Sequence, residues 1–242
     1  KEGENVLKMN ELYNMDCMEG MKEFPDKYFE LAIVDPPYGI GETGERSTRP
    51  HKTKKCPNPL GAIKQYTVKE WDNEPPSKEY FTELIRVSQN QIIWGANHFI
   101  ENIQNANSSC WIFWDKKNGN TDFADGELAW ASFKTAVRKF EWLWNGFQKQ
   151  QPEHRIHPTQ KPVALYKWLL TNYAKPGDKI LDTHVGSASS LIACHDYGFE
   201  YIGFEIDPDY YKAAKERLEA VKNQVSMFAK INQLRKNGIN AL

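Results

Sequence analysis

The second half of this 242-residue chain alternates short apolar strands with helices at a spacing that few architectures accommodate. Residues 163–173 predict a helix starting after Pro162, and residues 179–182 (KILD) a strand. A turn at 183–187 leads into a helix reaching about Tyr197. Residues 200–206 follow as a strand, and Asp207 or Pro208 opens the next helix. A strand, a helix and a second strand within roughly thirty residues require a crossover connection, hence parallel strands. The first half adds strands at 12–16, 31–35 (LAIVD), 91–94 and 110–114, and a helix at 77–88 with Ser77 as N-cap. Residues 128–133 and 139–144 read as an antiparallel pair at one edge. The expected fold is therefore α/β and Rossmann-like: a mostly parallel twisted sheet, helices on both faces, and an antiparallel edge hairpin.

Ligands of such sheets sit beyond the carboxyl ends of the strands, where the strand order reverses. Asp16, Asp35, Asp182 and Glu205 all fall at predicted strand ends, so their side chains are expected to gather on one rim. One domain is expected over residues 1–242. It has a first half at about 10–145 with an irregular insertion at 39–76, a second half at about 157–222, and a tail at 223–242.

Composition narrows the partners. No run of about 18 uncharged apolar residues exists, so no membrane contact is expected. Residues 1–10 are polar and lack an apolar signal core. Cys17, Cys56, Cys110 and Cys194 are far apart and form no CxxC pair. That argues against a zinc site and against a disulfide framework, and it suits a reducing cytoplasm. Net charge is −1, which weighs slightly against a nucleic-acid partner. Yet Arg46, Arg49, Lys52, Lys54 and Lys55 cluster in the insertion, continuing to Lys64 and Lys69. Such a stretch suits phosphates as well as it suits a solvated loop.

Asp35-Pro36-Pro37-Tyr38 directly follows an apolar strand. The prolines end the ladder and stiffen the backbone. The Asp35 carboxylate and the Pro36 carbonyl are then two preset acceptors. Acceptors on both N–H bonds of an exocyclic base amine would orient it and direct its delocalised lone pair. Tyr38 offers a face on which a flipped base can stack, worth about 1–3 kcal/mol. A strand end with a Pro-Pro turn is the plainer alternative.

Residues 181–190 (LDTHVGSASS) join a strand to a helix, and small residues there let a backbone approach a ligand. Neither GxxxxGK[ST] nor GxGxxG is present. Glu205 ends the next strand, where an acid suits ribose hydroxyls. The combination fits an adenosine-containing cofactor without a pyrophosphate. His157-Pro158-Thr159-Gln160-Lys161-Pro162 is polar, bracketed by prolines, and suits either an amino-acid carboxylate or a plain helix entry. His98 and His195 read as surface residues, Trp111 and Trp114 as core or edge aromatics.

Together DPPY, HPTQKP and the turn before GFEID resemble the amino-methyltransferases of DNA, from about Leu12 to Leu218. The order, with DPPY first, resembles the permuted β class and its phage-type N6-adenine methylases. The resemblance implies S-adenosylmethionine as cofactor, S-adenosylhomocysteine as product, no metal, double-stranded DNA as substrate, and a bacterial or phage source acting in the cytoplasm. It implies catalysis by Asp35, Pro36, Pro37 and Tyr38. It implies cofactor contacts from Asp16, Cys17, Asp35, His157, Thr159, Gln160, Lys161, Asp182, His184, Gly186, Ser187 and Glu205. Asp16 and Cys17 belong at the adenine, Glu205 at the ribose, and His157, Thr159, Gln160 and Lys161 near the methionine end.

Two residues depart from the family turn. His184 stands where Phe is usual, and Ala188 where Gly is common; Ala188 fits if it already lies in the helix. The usual recognition region has shrunk to residues 145–156. Recognition is therefore expected from residues 41–73, from 116–126, or from a partner subunit such as a second copy; a restriction endonuclease partner stays open. N4-cytosine methylation is the nearest alternative, with Asp35 rather than Ser favouring adenine. Methylation of RNA or of a protein amide is more distant, and an inactive DNA-binding or regulatory subunit belongs to a different class.

Overall fold

A computed structural model describes residues 7–41, 72–118, 124–144 and 149–236, with 225–236 as backbone only. The basic residues Arg46, Arg49, Lys52, Lys54 and Lys55 lie outside the described residues, as do parts of the loops at 116–126 and 145–156.

Among the described residues, eight strands form one sheet: β1 (Glu11–Tyr13), β2 (Phe29–Val34), β3 (Ser88–Trp94), β4 (Trp111–Asp115), β5 (Gly126–Ala131), β6 (Arg138–Glu141), β7 (Lys179–Asp182) and β8 (Glu200–Phe204). Among the described residues, five α-helices accompany them: α1 (Cys17–Lys22), α2 (Lys78–Val87), α3 (Val163–Tyr173), α4 (Ser189–Tyr197) and α5 (Pro208–Lys236). The strand order is β1-β8-β7-β2-β3-β5-β4-β6. Strands β1, β8, β7, β2 and β3 run parallel.

The parallel strands are apolar because both faces are covered. Leu31, Ile33, Ile92, Trp94 and Ile180 join one buried cluster, with Leu165 and Leu169 of α3, Leu191 of α4 and Leu218 of α5. Ala32, Val34, Ile93, Leu181 and Ile202 alternate with them and join the opposite cluster, with Met21 of α1 and Phe81 and Leu84 of α2. Close packing needs small residues: a side-chain carbon on Gly203 would come within 2.6 Å of Val185 and 2.7 Å of Leu191.

The antiparallel part of the sheet differs from expectation. Strand β5 pairs antiparallel with β3 and with β4, and β6 lies parallel to β4. The two segments read as an edge hairpin therefore do not touch as strands. Ala129, Trp130 and Ala131 are all buried, which suits an interior strand, whereas of β6 only Phe140 is buried. Three smaller readings also change. Strand β1 stops at Tyr13, so Asp16 is the N-cap of α1, accepting from the Met18 N–H at 2.8 Å. Ser77 precedes α2 without a side-chain cap bond. Ala188 lies outside α4, as its N-cap in the left-handed region (φ 62°), because the tight turn before α4 must reverse there. Among the described residues, no helix is long and apolar enough to cross a membrane.

The chain runs from β7 to β8 on one side and from β2 to β3 on the other, while β7 and β2 are neighbours. The strand order thus reverses between β7 and β2, and the crevice opens beyond Asp182 and Asp35.

Candidate active site

Asp35 follows the last residue of β2, and its carboxylate is the centre of a polar cluster. Its Oδ1 accepts from the Tyr38 hydroxyl at 2.8 Å, and its Oδ2 lies 2.5 Å from the Lys161 ammonium. Lys161 also reaches Glu127 Oε2 at 2.9 Å and the Tyr38 hydroxyl at 3.2 Å. The other Glu127 oxygen pairs with Lys116 at 2.5 Å. Burial pushes the Asp35 carboxyl above its ordinary range, against the pull of the Lys161 ammonium. Burial works against ionised Glu127 too, but Lys161 and Lys116 hold it down at about 2.

Tyr38 is held at its backbone and its ring. Asp72 Oδ1 accepts from the Tyr38 and Gly39 N–H groups at 2.7 and 3.0 Å, and the Gly41 N–H bonds the Asp72 carbonyl at 3.1 Å. The ring lies against Gly95, where a side-chain carbon would sit 2.0 Å from it. Gly95 is in the left-handed region (φ 69°), so two demands converge on glycine there. The exposed His98 stacks on Tyr38 with centroids 5.0 Å apart and planes 16° apart.

The turn after β7 is shaped from within. Asp182 Oδ1 accepts from the His184 N–H at 3.0 Å, and Oδ2 meets the Ser190 hydroxyl. Both oxygens of this expected cofactor ligand thus serve the turn. Burial raises its carboxyl to about 7 and holds the His184 imidazole at about 4, leaving that ring neutral near pH 7. Glu205 follows β8 and accepts from the Gly186 N–H at 2.8 Å and the Asp207 N–H at 2.9 Å. From α5, Arg217 donates to the Ser187 carbonyl at 2.6 Å and pairs with Glu153 at 2.9 Å.

A cavity of about 310 Å³ lies between these two groups. It brings together Asp35, Pro37, His157, Thr159, Gln160, Lys161, His184, Gly186, Ser187 and Glu205 of the expected residues. Pro36, Tyr38, Asp16, Cys17 and Asp182 do not line it. Cys17 is nonetheless near Asp182, and burial pushes its thiol up to about 12. His157 shares its Nδ1 with the Thr159 hydroxyl at 3.1 Å. The Gln160 side chain braces its own loop, accepting from the Ile156 N–H at 2.9 Å.

A model of the DNA methylase family, N6_N4_Mtase, matches residues 86–216, more than half of the chain. The chain belongs to the DNA methylase family. Among curated relatives it is similar to YubD of Escherichia coli (strain K12), at 25% identity over 91% of this chain and 95% of YubD. It is also similar to the type II methyltransferase M.HinfI of Haemophilus influenzae, at 25% identity over 88% of this chain and 69% of that one. The fold is shared with solved structures. The M1.HpyAVI complex with SAM aligns at TM-score 0.51 and 20% identity, covering 86% of this chain and 98% of that one. The PvuII DNA methyltransferase, described as cytosine-N4-specific, aligns at TM-score 0.52 and 12% identity, covering 88% and 91%.

For this DNA methylase, sequence reasoning did not find Glu127, Lys116, Asp72, Tyr166, Ile206 or Tyr210. Tyr166, Ile206 and Tyr210 line the cavity, and Ile206 is an exposed apolar side chain directly after Glu205. An apolar residue set between Glu205 and Asp207 at a strand end is the signal the sequence carried. The other three are placed by distant chain contacts.

Proposed function

We propose that this DNA methylase transfers a methyl group from S-adenosylmethionine to N6 of adenine in double-stranded DNA, by direct attack of a flipped base. One observation carries the reading: Asp35, beyond β2, opens into the cavity shared with the β7 turn and Glu205, across the point where the strand order reverses. The donor set suits the cofactor. Glu205 is an acceptor placed for a ribose diol, Gly186 and Ser187 bring backbone to the cavity, and His157 and Thr159 offer polar groups for an amino-acid end. Ile206 presents an apolar surface to a purine. Bound S-adenosylmethionine supplies an electrophilic methyl group on a sulfonium.

The protein's part is orientation. Asp35 and the Pro36 carbonyl accept from the target amine and direct its lone pair into the cavity. Asp35 is placed to take the proton the methylated amine must lose. Tyr38, seated on Gly95, supplies the stacking face. Domain roles follow: β2 to β5 carry the base chemistry and β7 to α5 carry the cofactor. Asp35 at the first position of the motif favours adenine over cytosine. Transfer of radiolabelled methyl to DNA, followed by nucleoside analysis, decides it. N6-methyladenine is expected; label in N4-methylcytosine, in RNA, or nowhere would reject this reading.

Glu205→Ala is expected to weaken S-adenosylhomocysteine binding by about 1–3 kcal/mol, because it strips a buried acceptor from the ligand and from the Gly186 N–H. Calorimetry reads this directly, and unchanged affinity removes Glu205 from the site. We assign phosphate contact to Arg46, Arg49, Lys52, Lys54 and Lys55. Changing the three lysines to alanine should flatten the salt dependence of DNA binding, each lost contact lowering the slope by about 1. An unaltered slope removes them from the interface.

A further inference from the structure

The three N–H bonds of an ammonium can serve three acceptors. Those of Lys161 have three partners here: Asp35 Oδ2, Glu127 Oε2 and the Tyr38 hydroxyl. The side chain is 2% exposed, and its ammonium also lies 5.4 Å from the Trp94 ring centre and 5.6 Å from that of Tyr38. None of these contacts is with the β7 turn or Glu205. A residue expected at the amino-acid end of the cofactor is therefore committed to the catalytic carboxylate.

We propose that Lys161 and Glu127 are positioning residues for Asp35. Lys161 keeps Asp35 an acceptor by pairing with it from inside the protein, and Glu127, tethered by Lys116, limits how strongly that pairing acts. The role rests on the reading of Asp35 as acceptor for the target amine. A protonated Asp35 would set an O–H donor against an N–H donor, and burial drives the carboxyl toward that form. The charged and titratable groups around it come from several elements. Lys161 precedes α3, Glu127 is on β5 with Lys116 behind it, and Tyr38 is on the same turn. Tyr166 comes from α3, Tyr80 from α2 and Asp182 from β7. The nearby His184 is held neutral by burial, and His157 lines the same cavity. Among these, Lys161 is the cation that touches Asp35. Its loss should raise the carboxyl, whereas loss of Glu127, a like charge, should not.

The test follows methyl transfer to DNA from about pH 5.5 to about pH 9 for the full chain, Lys161→Met, Lys161→Arg and Glu127→Gln, with S-adenosylhomocysteine affinity measured for each. Lys161→Met should move the acidic limb of the rate profile up by about one to three pH units, so that transfer at neutral pH falls about tenfold or more and recovers toward high pH. Lys161→Arg should keep the limb in place. Glu127→Gln should leave it at or below its original position. Cofactor-product affinity should change by less than about threefold in Lys161→Met. Loss of rate uniform across pH, or a drop in that affinity of about tenfold with the limb unmoved, would overturn the proposal. If Lys161→Met does not fold, Glu127→Gln decides, and an upward limb overturns. If the unsubstituted chain transfers no methyl to DNA, the functional reading itself fails and takes this role with it. Failure of the role alone leaves that transfer intact.

Discussion

Replacing Asp35 by alanine is expected to lower methyl transfer to DNA by about 10²–10³-fold, while S-adenosylhomocysteine affinity changes by less than about threefold. In the proposed reaction the carboxylate acts on the target amine, and the cavity keeps its other polar groups, Glu205 and the β7 turn among them. The loss should appear in kcat more than in KM, since the proposed DNA contacts lie elsewhere. Lys161 would keep Glu127 as a partner at 2.9 Å, so the ammonium is not stranded. Single-turnover transfer with radiolabelled cofactor separates chemistry from binding. Near-normal turnover would remove Asp35 from the chemistry.

The second large effect concerns Asp182 and stability. Its carboxyl is raised by burial to about 7, far above the ordinary 3.8. The fold therefore favours the protonated group. This contribution is fully present below about pH 4 and fades as pH rises through about 7. Over that window the group alone should cost roughly 4 kcal/mol of stability. Asp182→Asn mimics the protonated carboxyl: its carbonyl can accept from the His184 N–H, and its amide can donate to the Ser190 hydroxyl. The variant should be more stable than the parent at pH 8 and less pH-dependent between pH 5 and 8. Glu127, whose carboxyl is held low, pulls the other way in both proteins, so the difference between them isolates Asp182. Denaturant midpoints across pH give the answer, and parallel curves for the two proteins would contradict it.

Much of this was legible because it is local. The strand–turn–helix pattern from Lys179 to Tyr197 appears in the structure with its helix starting one residue later than expected, at Ser189, since apolar runs and small residues set it without help from distant parts. Asp35, Asp182 and Glu205 likewise come together at strand ends, because parallel topology puts those ends side by side, whereas Asp16 caps α1 beyond a strand that stops at Tyr13. What escaped depends on sheet order. Glu127 meets Lys161 only because β5 runs antiparallel between β3 and β4, setting Glu127 opposite Trp114. Nothing within a few residues of Glu127 announces that register. The segments of β5 and β6 differ from expectation for the same reason: alternation shows that a segment is a strand, not which strand lies beside it. Ala188 caps α4 and does not lie within it, because its left-handed backbone is dictated by the turn, not by alanine.

Asp72 joins the two ends of the long insertion. Its side chain holds the Tyr38 turn where residues 42–71 depart, and its carbonyl holds Gly41. The insertion therefore begins and ends at one clasp, and the clasp belongs to the scaffold. Loop closure grows slowly with length, about 0.6 kcal/mol for each doubling. A clasp of this kind tolerates a change of length between its ends at little cost, while the aromatic ring beside it stays in register. Change of length between Gly41 and Asp72 is thereby separated from the pose of Tyr38, and one aspartate is the hinge pin of that separation.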